Sequence, residues 1–211
     1  MTQECVILFD LGRVLIDFDH NIAVKRMKHF CSLDENNIYD LFFDSDLTDR
    51  FEKGLISSLE FFQELKARLN AKISYEEFVP IWNEIFTPHP GMREIVESLK
   101  DNYSLYMVSN INELHFKYLQ QQFKDYFVYF SYIFLSYELK LRKPDLKIYE
   151  LIIDYLKIPA EKIIYTDDRP ELVNAAKKLD IDAFVFESTA VFKEELIRRN
   201  IKFDLVLNKR Q

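Results

Sequence analysis

Four short stretches of the sequence place reactive side chains directly after, or just beyond, apolar runs. Cys5-Val6-Ile7-Leu8-Phe9 leads into Asp10, and Gly12 follows two positions later. Ser104 to Val108 leads into Ser109-Asn110, and Lys162 to Thr166 leads into Asp167-Asp168. The fourth stretch is Arg142-Lys143-Pro144-Asp145, in the loop after a third apolar run, Tyr132 to Leu135. Asp10 alone reads first as a turn cap. Asp10, Asp167 and Asp168 supply three carboxylates, Lys143 an ammonium and Ser109 a hydroxyl. Three carboxylates that converge repel one another and rise in pKa unless a cation joins them. Such a set suits a hard divalent ion such as Mg²⁺, which takes a few carboxylate oxygens together with water and phosphate. Lys143 would keep a nucleophilic carboxylate ionised and meet phosphoryl oxygens, and Ser109 would donate to the same oxygens. These are the parts needed for phosphoryl transfer to an aspartate, followed by hydrolysis of the acyl phosphate.

Convergence requires a shared sheet edge, and the pattern of elements predicts one. Buried strands are expected at Cys5–Phe9, 104–108, 132–135, 162–166 and 183–186, alternating with helices. Met92, Ile95, Val96 and Leu99 mark one amphipathic stripe, and Ile148, Leu151, Ile152 and Tyr155 another. Arg169-Pro170-Glu171 opens a helix with proline in its favoured first turn. A final helix is expected over 189–199. Repeated β-α units of this kind build an α/β fold with a doubly wound parallel sheet, in which ligands bind beyond the carboxyl ends of the strands. Residues 20–86 read differently, as helices without a strand. Serine caps start two of these helices, Ser74 forming a capping box with Glu77. Phe42, Phe43, Phe51, Phe61, Phe62, Phe78, Trp82 and Phe86 are expected to form the core of a small helical bundle. Thr87-Pro88-His89-Pro90-Gly91 reads as the linker back to the β-α pattern.

The chain has 211 residues, 48% hydrophobic and 30% charged, which fits a folded globular protein with room for one core domain and a modest insert. A net charge of −7 gives no attraction to nucleic acid or anionic lipid, so a phosphorylated substrate needs local cations. No apolar run reaches membrane-spanning length, and no basic segment precedes a long apolar one. A cytoplasmic location is expected, with neither membrane nor nucleic acid as partner, and a monomer or homodimer. Cys5 and Cys31 are expected as free thiols. None of His20, His29, His89 and His115 has metal-ligand spacing, and only His20 is expected near a cleft.

The four stretches, in this order, resemble the motifs of the haloacid dehalogenase-like hydrolase superfamily: Phe9-Asp10-Leu11-Gly12-Arg13-Val14, Val108-Ser109-Asn110, Arg142-Lys143-Pro144-Asp145 and Thr166-Asp167-Asp168-Arg169. The resemblance implies a Rossmann-like core formed by residues 1–17 and 87–211, with a helical cap inserted at residues 18–86. It implies a Mg²⁺-dependent phosphatase acting on a small phosphorylated metabolite of the sugar-phosphate kind. Carried over by position, Asp10 is nucleophile and metal ligand, Lys143 the charge stabiliser and Ser109 a phosphate binder. Asp168 is then the direct metal ligand, with Asp167 in support or bound through water, and Asn110 lies on the substrate side; at Arg13, a candidate substrate-binding residue, the family more often has a small or amide residue. Phosphatases of this superfamily usually carry an acid/base aspartate where this chain has Gly12, whose carbonyl could still ligate the metal. The branch similar to bacterial sugar-1-phosphate phosphatases shares the Asp-Leu-Gly pattern. Asp17 and Asp19 are the nearest substitute acids, though both also suit a helix cap. Arg13 either contacts an anionic group of the substrate or pairs with Asp17. Two alternatives stay open: a metal-independent 2-haloacid dehalogenase, which the Asp167-Asp168 pair opposes, and a non-catalytic binding protein, which Gly12 alone supports.

Overall fold

The computed structural model describes residues 5–203. Residues 1–4 and 204–211 of the expected core segments lie outside them. Strand β1 (Val6–Phe9) is followed by a short β2 (Ile16–Phe18) and five helices, α1 (His20–Met27), α2 (Glu35–Phe43), α3 (Asp46–Glu52), α4 (Ser58–Leu69) and α5 (Tyr75–Asn83). After β3 (Phe86–Pro88) come α6 (Met92–Leu99), β4 (Ser104–Ser109), α7 (Glu113–Gln122), α8 (Lys124–Phe127), β5 (Phe130–Leu135) and α9 (Ser136–Leu139). The chain continues through α10 (Leu146–Leu156), β6 (Ile163–Asp167), α11 (Pro170–Lys177), β7 (Asp182–Val185) and α12 (Thr189–Arg198).

Five strands form a parallel sheet in the order β5-β4-β1-β6-β7. The strand that carries Asp10 is therefore central, flanked by the strands that carry Ser109 and Asp167. The chain builds outward from β1 through β4 to β5, then returns to β1 and builds the other way through β6 to β7. The switch point of the sheet, where its ligand crevice opens, lies at β1. Both faces of the sheet are covered, which is why its strands read as unbroken apolar runs. Alternation along β1 sends Ile7 and Phe9 into a core with α6, α7 and α12, and Val6 and Leu8 into a second core with α10 and α11. All four are at most 1% exposed, so each contributes about 1.5–3 kcal/mol of burial free energy.

Helices α1 to α5 enclose a third core of Phe42, Phe51, Phe61, Phe62, Phe78 and Trp82, joined by Val24, Met27, Leu65 and Leu69. Of the expected bundle aromatics, Phe43 and Phe86 are only partly buried and pack at its margin. Ser57 with Glu60 and Ser74 with Glu77 complete capping boxes on α4 and α5. The linker expected at Thr87-Pro88 is instead the antiparallel partner of β2, with Ile16 opposite Pro88 and Phe18 opposite Phe86. Proline favours an extended backbone and is tolerated at a strand edge, so the same residues that punctuate the sequence form a ribbon. The chain enters and leaves the helical segment through this ribbon. Cys5 and Cys31 are half-buried, and neither is in a disulfide. Among the described residues no helix is long and apolar enough to cross a membrane.

Candidate active site

The backbone N–H of Asp10 still donates to the Thr166 carbonyl at 2.9 Å, so Asp10 is held in sheet register at the last position before the chain turns away. The ends of β1, β4 and β6 and the loop before α10 open onto one cavity of about 660 Å³. Asp10, Gly12, Arg13, Ser109, Asn110, Lys143 and Asp168 all line it. Asp167 lies just behind, fully buried.

Lys143 organises the polar cluster. Its ammonium, 2% exposed, donates to Asp10 Oδ1 at 2.7 Å, to Asp167 Oδ2 at 2.6 Å and to the Val108 carbonyl at 3.2 Å. Burial opposes its charge, yet the attraction of Asp10 and Asp167 outweighs burial and holds its pKa above the ordinary lysine value. The three donor positions of the ammonium are thus filled. Its backbone is clamped by Asn110, whose Nδ2 donates to the Lys143 carbonyl at 2.8 Å while its Oδ1 accepts from the Lys143 N–H at 2.8 Å. Asn110, expected on the substrate side, thereby has one N–H and one lone pair left for anything else. Asp167 is largely committed: Oδ2 also accepts from the Tyr165 hydroxyl, and Oδ1 accepts from the Arg169 N–H at 2.9 Å, which leaves one acceptor position on Oδ1. Burial raises the Asp167 pKa, but Lys143 and these donors overcome it and the net shift is downward.

The other two carboxyls behave oppositely. Burial raises Asp10 to about 7, with Lys143 opposing and Asp167 reinforcing the rise. Burial and the Asp167 charge raise Asp168 to about 6. Carboxylate oxygens of Asp10, Asp167 and Asp168 all lie within 4.8 Å of one another. Three carboxylates face a single ammonium, and the all-oxygen donor set fits a hard divalent cation. With three of its four acceptor positions filled by protein donors, Asp167 has less to offer a cation than Asp10 and Asp168.

The acid missing at position 12 has a structural counterpart. A Cβ added to Gly12 would stand 3.0 Å from Phe18 Cε1, so the Phe18 ring fills the space that a side chain there would enter. Asp17 lies on β2 opposite Thr87, and Asp19 caps α1 by accepting from the Asn21 N–H. Neither lines the cavity. The opposite wall is a column of stacked rings. Phe18 and His20 lie 4.7 Å apart, His20 and Phe43 3.6 Å, Phe43 and Trp82 5.4 Å, and Trp82 and His115 4.8 Å, with interplanar angles of 28°, 1°, 11° and 15°. The column runs from β2 across the helical segment to α7, and burial together with Arg13 lowers the His20 pKa to about 4. Two further ties join the helical segment to the β-α core. Arg142 meets Asp49 and Glu52 at 2.9 Å each, and Ser136 Oγ donates to the Glu52 carbonyl at 2.7 Å.

His115 and Asn112 had no signal in the sequence beyond a polar helix start. In the structure Asn112 caps α7, accepting from the His115 N–H at 3.0 Å and from Trp82 Nε1 at 3.4 Å. His115 Nε2 lies 3.0 Å from the Trp82 carbonyl, and Nδ1 lies 3.0 Å from Asn112 Nδ2. A carbonyl only accepts, so the proton sits on Nε2 and Nδ1 accepts from the amide. Both nitrogens of a neutral ring are satisfied. Burial lowers its pKa from 6.5 to about 3, against the Trp82 carbonyl and with help from His20. Between those values the unfolded chain binds a proton that the folded chain does not, so stability falls as pH is lowered from 6.5 towards 3. The loss approaches roughly 1.4 kcal/mol per pH unit at its steepest. Urea midpoints measured from pH 7 to 4 are expected to fall less in His115→Gln than in the unmodified chain. Parallel curves would show that the folded ring takes up its proton freely.

Residues 6–180 match the model of the haloacid dehalogenase-like hydrolases. The chain is similar to the D-ribitol-5-phosphate phosphatase of Bacteroides thetaiotaomicron, with 24% identity over 197 residues covering 90% of this chain and 95% of the relative. Its fold is similar to that of a haloacid dehalogenase family enzyme from the same organism, solved as a complex with magnesium and inorganic phosphate. That match has a TM-score of 0.77 and 24% identity, and covers 88% of this chain and 95% of the other. An L-2-haloacid dehalogenase shares the fold at a TM-score of 0.64 and 17% identity, covering 88% of this chain and 87% of the other. With the family model spanning most of its length, the chain belongs to the haloacid dehalogenase-like hydrolases.

Proposed function

We propose that the chain is a Mg²⁺-dependent phosphatase that hydrolyses a small phosphorylated metabolite, in the sugar-phosphate class, through an aspartyl-phosphate. The observation that carries this reading is Lys143, bridging Asp10 and Asp167 beside Asp168 at the switch point of the sheet. Asp10, Asp168 and the Gly12 carbonyl would hold the metal, with Asp167 supporting them through Lys143 and Tyr165. Bound there, Mg²⁺ supplies positive charge that keeps the raised carboxyls ionised and draws electron density from the phosphoryl oxygens. Asp10 attacks phosphorus, the bond from phosphorus to the leaving oxygen breaks, and that oxygen takes its proton from water, since Gly12 offers no acid. Water then attacks the acyl phosphate, giving inorganic phosphate and restoring the Asp10 carboxylate. Lys143 holds Oδ1 of the nucleophile, and Ser109 donates to the transferred group. Helices α1 to α5, with the expected boundaries at residues 18–86, act as the cap that faces the leaving group.

The D-ribitol-5-phosphate phosphatase among the relatives supports this substrate class. The test is phosphate release from a panel of phosphorylated sugars, polyols and sugar acids by metal-stripped protein, with and without added Mg²⁺. Release is expected only with the metal. Equal release after exhaustive chelation would overturn the metal assignment, and halide release from 2-haloacids without metal would replace the phosphatase reading altogether.

A further inference from the structure

Arg13 is a motif residue that the chemistry above leaves unused. Its backbone has φ of +62°, a left-handed conformation that glycine and asparagine accept and that a side chain with a longer stem strains. The strain is held in place, since the Arg13 N–H donates to the Ile16 carbonyl at 2.9 Å. The side chain lines the cavity with its guanidinium 4.5 Å from the centre of the Phe18 ring. Among the described residues no carboxylate lies within 4.0 Å of it; the expected alternative partner, Asp17, is not engaged. Every other cation lining the cavity is neutralised: Lys143 by Asp10 and Asp167, Arg142 by Asp49 and Glu52, and Arg169 by Glu171.

We propose that Arg13 reads a second anionic group on the substrate, so that the leaving group itself carries a carboxylate or a further phosphate. The inference rests on the phosphatase reading and narrows it. Ser109 already serves the transferred phosphoryl group, and Lys143 is taken up by Asp10, Asp167 and Val108. The guanidinium is instead parked on Phe18, at the foot of the ring column and on the helical side of the cavity. An aromatic platform fixes the plane of the guanidinium without consuming its donors, which leaves its fork for a planar or tetrahedral oxyanion. Asp44, at the end of α2, is the cavity-lining cap carboxylate outside any ion pair among the described residues. It accepts from hydroxyl groups and repels anions. A substrate with a second anion is therefore oriented with that group towards Arg13 and its hydroxyls towards Asp44.

The test uses matched pairs that differ in one group: 3-phosphoglycerate against glycerol 3-phosphate, 6-phosphogluconate against glucitol 6-phosphate, and fructose 1,6-bisphosphate against fructose 6-phosphate. In at least one pair kcat/KM is expected to favour the doubly anionic member by roughly tenfold or more, the scale of one charge-assisted hydrogen bond. The carboxylate pairs and the bisphosphate pair separate the two sources of the anion. Arg13→Asn, which suits the left-handed backbone, should collapse that ratio towards one, with Arg13→Lys between. A ratio near one in all three pairs overturns the inference. So does an unchanged ratio in Arg13→Asn with both members slowed equally, which would put Arg13 on the transferred group. Calorimetric binding of the same six compounds to Asp10→Asn with Mg²⁺ keeps the question independent of turnover. If the unmodified protein releases phosphate from none of them, the phosphatase reading fails for these classes and the affinity ratio alone decides on Arg13. Equal affinities, or no binding, overturn it.

Discussion

Asp10→Asn is expected to lower phosphate release by roughly 10⁵-fold or more, the scale seen when a nucleophile is removed from a concerted site. The amide keeps the size of the carboxylate and still accepts from Lys143, so the loss is chemical and not a matter of shape. A carboxamide is a poor nucleophile and a weak ligand for a hard cation. The same substitution has the opposite effect on the metal-free fold. Asp10 titrates near 7 in the folded chain against 3.8 ordinarily, because it is buried beside Asp167. Between those values the folded state binds the extra proton, so stability falls as pH rises through the window and the penalty is complete above about 7. Asp10→Asn removes that penalty. Without metal at pH 8 the variant should therefore melt at a higher temperature than the unmodified chain. Added Mg²⁺ should stabilise the unmodified chain more than the variant and narrow the gap. Turnover within tenfold of the unmodified rate would remove Asp10 as nucleophile. A variant that melts lower at pH 8 would show that the carboxylate is not a burden on the fold.

How much of this site was legible in the sequence depends on where each group's partner lies. Asp10, Ser109 and Asp167 could be placed because a strand end is a local event: an apolar run stops and a polar residue follows. The sheet order then brings them together. Lys143 was legible as a residue, since a lysine next to a proline after a strand marks a loop. Its three-way grip on Asp10, Asp167 and Val108 was not, because those partners are up to 133 positions away. Tyr165 was hidden for a different reason. It reads as one more apolar residue of β6, and only its hydroxyl, bonded to Asp167, makes it part of the site.

The contacts between the helical segment and the core were the least legible. Asn112, His115, Ser136 and Arg142 act through Trp82, Glu52 and Asp49, on helices whose own pattern specifies only their bundle core. The ribbon of β2 and β3 was hidden because three-residue strands carry almost no periodicity and proline reads first as punctuation. Gly12 was the most ambiguous residue. A missing acid is compatible with several meanings until Phe18 is seen in its space.

Lys143→Met is expected to be the most damaging single change to the fold outside the apolar cores. Methionine matches the stem of lysine in length and packs without difficulty, so any loss reports the charge. Removing the ammonium leaves Asp10 and Asp167 buried side by side with no counter-ion. Breaking a buried pair in this way costs about 3–5 kcal/mol. The cost should appear above pH 7, where both carboxyls are driven to ionise, and shrink as pH falls and Asp10 takes up a proton. Urea unfolding of the metal-free protein at pH 8 and pH 5 checks both halves. Asp10→Asn in the same chain should return part of the lost stability, since one of the two stranded carboxylates is gone. If Lys143→Met does not fold at all, the double variant still decides the matter by folding or failing. In catalysis, loss of a preorganised donor of this kind costs roughly 10²–10³-fold in kcat. Residual activity should also move to higher pH, because Asp10 without its lysine ionises later. A Lys143→Met protein as stable as the unmodified chain at pH 8 would mean that Asp10 and Asp167 do not depend on the ammonium. The bridge at the switch point would then be an incidental contact rather than the centre of the site.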